Sequence, residues 1–358
     1  MSTLGHLERL VAFDTRNPPR AASGIGALMY YASTNLEVSG FTVEERNLGD
    51  GCAWLYARRG TGGALVNVHI DTVPADEGWT RDAHALVVAG DRAIGLGACD
   101  IKGALAAFLT AAASTRGPAE LLLTSDEEAG TSRCVRTFVQ AFDVKGRAVF
   151  VAEPTGCRAV LGHRGIATSV GTFSGVAGHA SAARTLVDSA THEAVRWAAR
   201  ALSFAQERAA AGDDVRFNLG RIEGGTKANM IASTTTVRFG VRPMSEPAAV
   251  ADAVGALAAD SARVVWQRGY LAPSLVPSPS TRALAEQAGL VVGANVDFFT
   301  EAALFQEAGA HALVVGPGDI AQAHAPDEYV ELSQLHEAER VYVRLLAGAN
   351  AGSTGGGS

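Results

Sequence analysis

The stretch ALVNVHIDTVP, residues 64–74, decides how the rest of the chain is read. It is a short apolar run of the kind that forms a strand buried on both faces. It ends on His69 and Asp71, just before a proline. Polar residues at such a position lie at the carboxyl edge of the sheet, where α/β proteins form their crevices. Taken alone, His-x-Asp is as readily a hydrogen-bonded structural pair as a piece of a metal site. The choice depends on which residues stand at the ends of the other strands.

The same design recurs along the chain. AELLLTS (119–125) is a second strand and is followed by Asp126, Glu127 and Glu128; RAVFVAE (147–153) is a third and ends on Glu153. HALVVGPGD (311–319) precedes His324. Helical patterns lie between: DIKGALAAFLTAAAS (100–114), with Asp100 read as its N-cap, and CVRTFVQAF (134–142). This alternation predicts an α/β sheet flanked by helices. The middle of the chain differs. GIATSVGTFSGV (165–176), a helix near 186–210, RFNLGRIEGG and TTTVRFGVRP have the order of a small α+β domain with an antiparallel sheet. The expected organisation is a discontinuous catalytic domain, residues 1–162 and 272–350, interrupted by an inserted domain at 163–271. A Gly/Ser tail occupies 351–358.

Composition narrows the function. Of the 358 residues, 47% are hydrophobic and 19% charged, enough for a large core. A net charge of -7 with scattered Lys and Arg argues against nucleic acid as a partner. No apolar run reaches the roughly 20 residues of a membrane span, and MSTLGHLERLVAF reads as an amphipathic helix rather than a secretory leader. Cys52, Cys99, Cys134 and Cys157 are far apart in sequence, which fits free thiols in a cytoplasmic protein.

If the strand-end residues converge, Asp71, Asp100, Glu127, Glu128 and Glu153 bring five carboxylates together. Like charges so close do not all stay ionised without cations, and two divalent metals offset most of the charge. Carboxylates with histidine suit zinc, with cobalt as a substitute. Each motif also has a plain alternative: a helix cap for Asp100, a solvated turn for the acidic triplet, a glycine turn for GPGDIAQAH. All of them would have to be incidental at once.

The strings HIDTVP, GLGACDIKGA, TSDEEAG, AEPT and GPGDIAQAH resemble the dinuclear zinc aminoacylase/carboxypeptidase family. That family includes acetylornithine deacetylase, succinyl-diaminopimelate desuccinylase, aminoacylase and glutamate carboxypeptidase. AGHAS, GGTKANMIA and FGVRP resemble its inserted lid domain. The resemblance implies a zinc-peptidase-type catalytic domain with a mixed sheet, plus a lid that pairs chains into a homodimer. It implies that His69 and Glu153 bind one metal, Glu128 and His324 the other, and that Asp100 bridges them next to a cis peptide at Asp100–Ile101. Asp71 would hold the His69 ring, and Glu127 would be the general base. His179 would reach the reacting group across a dimer, and Lys227, Asn229 and Arg242 would hold a substrate carboxylate. Glu301 is expected to face the substrate or cap a helix.

Within the family, DTRNPPR, IGLGACDIKGA, DFFTEAALF and GPGDIAQAH are most similar to the acetylornithine/acetylcitrulline deacetylase branch. The implied reaction removes acetate from an Nα-acetyl amino acid, N-acetyl-L-citrulline or N-acetyl-L-ornithine, in arginine biosynthesis. Related N-acyl hydrolases, namely a desuccinylase, an aminoacylase or a dipeptidase, are the alternative. A catalytically dead binding protein of the same fold is the alternative from another class. No G-x-S-x-G elbow supports a serine hydrolase.

Overall fold

The computed structural model describes residues 1–213 and 215–347; the tail expected at 351–358 lies outside the described residues. The chain divides into two compact units. The first comprises Met1–Leu161, Pro277–Asn295 and the described residues from Thr300 onward; the second comprises Gly162–Val276 and Val296–Phe299.

The first unit is built on a six-stranded sheet. Its order is Thr42–Gly49, Cys52–Arg59, Ala119–Thr124, Ala64–His69, Ala148–Val151, His311–Val314. Ala64–His69 lies parallel to both Ala119–Thr124 and Ala148–Val151, and His311–Val314 continues the parallel half. The other half is antiparallel, so the sheet is mixed. Ala119–Thr124 is buried along its whole length and Ala64–His69 nearly so, because helices cover both faces. Gly103–Ser114 is the most apolar of these helices, and it buries Leu105, Phe108 and Leu109 against Leu7, Leu28 and Tyr342 of the same core.

One expectation for this unit is revised. Asp100 does not cap a helix. The backbone at Asp100 and Ile101 is non-helical, the peptide between them is cis, and the helix starts at Gly103 with no side-chain cap. The helix Ala22–Val38 and the hairpin Thr42–Gly49/Cys52–Arg59 are additional elements. Cysteines far apart in sequence meet in space: the sulfurs of Cys52 and Cys134 are 3.5 Å apart, both as free thiols.

The second unit is an antiparallel sheet, in the order Phe217–Gly224, Thr234–Val241, Ile166–Ser174, Val264–Ala272. Helices Ala190–Ala210 and Pro247–Gly255 pack on it. The helix Pro247–Gly255 and the strand Val264–Ala272 extend the expected β-α-β-β order by one helix and one strand. The core of this unit is aromatic. Trp197 lies 5.1–6.0 Å, centroid to centroid, from Phe173, Phe239 and Trp266, and its indole N–H donates to the Val254 carbonyl at 3.0 Å.

Candidate metal centre and active site

Parallel pairing brings the strand ends into line. His69 is opposite Thr124, and Asn67 is opposite Val151. The residues just beyond, Glu127 and Glu128 on one side and Glu153 on the other, therefore emerge beside His69. The result is two groups of ligand-type side chains. His69, Asp100 and Glu153 form one, and Asp100, Glu128 and His324 the other; within each, the ligand atoms lie within 4.8 Å of one another. Asp100 belongs to both. Its Oδ1 is 3.0 Å from His69 Nε2 and its Oδ2 is 3.4 Å from His324 Nε2. His324 Nε2 is 3.0 Å from Glu128 Oε1, and His69 Nε2 is 3.9 Å from Glu153 Oε2.

Electrostatics reflect the crowding. Burial raises the carboxyl pKa of Glu153 well above its usual value, and that of Glu128 upward. Burial, helped by neighbouring acids, pushes Glu127 up to about 8. Burial alone would lower the His69 pKa, but the hydrogen bond with the Asp100 carboxylate and the nearby Asp71 and Glu153 carboxylates turn the net shift well upward. Hydrogen bonds to Asp100 and Glu128 push His324 up to about 10. Burial would raise Asp100, yet the two histidines hold it low. Glu153 Oε1 is buried with no partner. Clustered acids, two imidazoles on one shared carboxylate and an unsatisfied buried carboxylate oxygen are a donor set that fits a pair of divalent cations.

Asp71 supports the site differently from the expectation. His69 Nδ1 is 3.0 Å from the Asp71 backbone carbonyl and 3.7 Å from the carboxylate, so the hydrogen bond runs to the carbonyl and the carboxylate acts through its charge. The carboxylate instead accepts the backbone N–H groups of Glu127 at 3.3 Å and Glu128 at 3.1 Å, and the Asn17 amide at 3.1 Å. It thus orients the acidic loop as well as the histidine. Asp126 does related work: its carboxylate accepts from Arg133 N–H at 2.5 Å, Cys134 N–H at 3.2 Å and the Thr131 hydroxyl at 2.8 Å, closing the loop that carries Glu127 and Glu128. Asn17 and Glu328, which accepts backbone N–H groups beside Asp100, carry no sequence signal: they stand in the polar stretches DTRNPPR and APDEY.

Glu301 is 1% exposed. Its Oε2 accepts from the Thr124 hydroxyl at 3.0 Å and, with the Asn67 amide turned to face it, from that NH2 at 3.2 Å; Oε1 has no partner. Burial raises its pKa well above the usual carboxylate value. Glu301 precedes the helix Ala302–Glu307 but makes no capping hydrogen bond with its side chain.

The remaining expected residues belong to the second unit. A two-stranded ribbon pairs Gly178–His179 with Met230–Ile231. It draws together exposed His179, whose Nδ1 is 2.7 Å from Ser181 Oγ, and the Lys227–Asn229 turn, whose Asn229 carbonyl accepts from Ala180 N–H at 3.0 Å. Arg242 follows the strand Thr234–Val241 and lines a surface depression with Arg216 and Arg238.

Residues 65–348 match the model of peptidase family M20/M25/M40. The chain belongs to that family. It is 45% identical over 367 aligned positions to an N-acetyl-L-citrulline deacetylase of Xanthomonas campestris pv. campestris, with 98% of each chain covered. It is 30% identical to an acetylornithine deacetylase of Aliivibrio fischeri, covering 80% of this chain and 81% of the relative. Among solved structures, aminopeptidase PepT from Bacillus cereus shares the fold at a TM-score of 0.74 and 16% identity, over 96% of this chain and 97% of the other. The Bacillus subtilis YXEP protein, a dinuclear metal binding peptidase from the M20 family, does so at 0.67 and 15% identity, over 96% of each chain. Among the described residues no helix is long and apolar enough to cross a membrane.

Proposed function

We propose that this chain is a metal-dependent amidohydrolase that removes acetate from an Nα-acetyl amino acid, N-acetyl-L-citrulline in first place and N-acetyl-L-ornithine in second, as a step of arginine biosynthesis. The observation that carries the reaction type is the Asp100 carboxylate shared between two histidine-containing ligand groups, with Glu127 beside them. The substrate assignment is supported by the 45% identical deacetylase, which matches over the length of both chains.

His69, Asp100 and Glu153 would hold one metal; Asp100, Glu128 and His324 would hold the other. Zinc is the native candidate, because imidazole and carboxylate donors suit it, and cobalt would substitute. When bound, the metals supply Lewis acidity to an amide carbonyl and a nucleophile at neutral pH. The chain's own contribution is to position and move protons. Glu127 belongs to neither ligand group and is the group assigned to take a proton from water and deliver it to the leaving amine. The Asp71 carbonyl holds one His69 tautomer. His179 is assigned to the developing oxyanion, Lys227, Asn229 and Arg242 to the substrate's α-carboxylate, and Glu301 to contact with the substrate. The homodimer through the second unit is supported by that unit's exposed apolar side chains, among them Leu186 and Val187. Four free cysteines support a cytoplasmic setting.

The test is a hydrolysis assay on N-acetyl-L-citrulline, N-acetyl-L-ornithine and N-succinyl-diaminopimelate, with and without a chelator. Chelator-sensitive release of acetate, fastest from the citrulline derivative, is the expected result. Turnover that survives metal removal would overturn the reaction type, and preference for the succinyl compound would overturn the substrate.

A further inference from the structure

Glu328 lies four residues after His324 in the same connection and is 3% exposed. Its carboxylate accepts three backbone N–H groups of the segment that carries Asp100. Oε2 accepts from Gly97 at 3.0 Å, and Oε1 accepts from Cys99 at 2.8 Å and from Asp100 itself at 2.9 Å. The Glu328 carbonyl takes a fourth, from Gly95 at 2.9 Å.

This segment has good reason to need an outside acceptor. At Asp100 (φ -123, ψ 87) and Ile101 (φ -142, ψ 31) the backbone is neither helix nor ladder, so its N–H groups have no regular partners, and buried N–H groups must be satisfied. Gly97, at φ 79, turns the chain so that these N–H groups converge. A carboxylate is the one side chain with enough lone pairs to take all three.

We infer that Glu328 is a positioning residue that acts through Asp100: it fixes the backbone from which the Asp100 carboxylate meets His69 on one side and His324 on the other. Because Glu328 and His324 share one short connection, the same clasp ties the loop of one ligand histidine to the residue both metals would share. The inference rests on the metal-centre reading proposed above.

The test uses Glu328→Gln, Glu328→Asp and the control Glu331→Gln in the full chain, each stripped of metal and titrated with Co(II) or Zn(II). Glutamine turns an NH2 toward at least one of the three N–H groups, and aspartate is one methylene too short to reach all of them. Metal affinity by competition with a chromophoric chelator, the visible spectrum of bound Co(II), and Tm with and without metal are measured. Both Glu328 variants are expected to bind metal 10–100-fold more weakly, with an altered Co(II) spectrum and a smaller metal-induced rise in Tm, while the far-UV circular dichroism of the metal-free protein is retained. The control is expected to behave as wild type. Wild-type affinity and spectrum in Glu328→Gln would overturn the inference. So would failure of both Glu328 variants to fold, which would make the residue a general determinant of stability. Failure of the wild-type chain itself to take up two metals would instead overturn the metal-centre reading.

Discussion

Single side chains in this protein divide into those that touch the reacting centre and those that hold them. Glu127→Gln separates the two, because Glu127 lies beside the ligand groups without belonging to either. The variant is expected to keep wild-type metal content by plasma mass spectrometry and to lose turnover by about 10²–10⁴-fold. Outside the site, His6 is buried and its Nδ1 is 2.8 Å from the Tyr31 hydroxyl. Burial, with a smaller push from the chain's terminal amine, lowers its pKa from 6.5 to about 4. The unfolded chain therefore binds a proton below pH 6.5 that the folded chain refuses until about pH 4. The stabilisation is present above pH 6.5 and is lost as pH falls between those values. Melting curves from about pH 7 to about pH 5 are expected to show a shallower fall in Tm for His6→Gln than for wild type, the difference between the two isolating His6 from the acids of the site. The proposed ligand residues can be picked out in the sequence because each is a polar residue after an apolar strand or near a glycine-rich turn. Of the residues that hold them only Asp71 can be, and only for its place beside His69. Asn17, Asp126 and Glu328 act on the side chain or backbone N–H groups of segments far away in sequence or on loops whose path is not regular, and Asp71 reaches the Glu127 and Glu128 N–H groups only because His69 and Thr124 are in register.

At the scale of elements, legibility followed burial. Ala64–His69, Ala119–Thr124, Ala148–Val151 and His311–Val314 are nearly continuous apolar runs, so their pattern announces them. The helix Ala22–Val38 carries two glycines, and a Cβ on Gly24 would meet the Asp14 carbonyl at 1.7 Å, so packing rather than propensity explains its sequence. The hairpin after it did leave a sign, the Asp50–Gly51 turn with φ of 53 and 70, but its edge strand Thr42–Gly49 is mostly exposed and lacks alternation. Val264–Ala272 buries only its two ends and exposes Arg268 and Gly269 between them; its strand character comes from pairing with Ile166–Ser174. One connection between elements yields a direct prediction. A Cβ on Gly316, after the strand His311–Val314, would sit 2.6 Å from the Glu153 carbonyl. Gly316→Ala is expected to cost about 1–3 kcal/mol in urea unfolding and to lower metal occupancy, because the displaced backbone carries a ligand.

Over the whole molecule, the two units have separate cores, and all five proposed metal ligands belong to the first. Trp197→Ala empties the centre of the aromatic core in the second unit and is expected to cost about 3–5 kcal/mol, while metal content per folded chain stays at the wild-type value. A drop in metal content by mass spectrometry would mean that the second unit helps to hold the ions. The order of elements along the chain acts in time as well as in space. His69, Asp100, Glu128 and Glu153 all precede the second unit, whereas the strand His311–Val314 that completes the sheet beside Ala148–Val151, and His324 after it, come later than that unit. On the ribosome, four acidic or imidazole ligands are therefore made early and wait, through synthesis of the whole second unit, for the fifth. A nascent chain arrested before His311 lacks both an edge of the sheet and one imidazole, so metal capture by the complete proposed set would have to follow synthesis of the second unit.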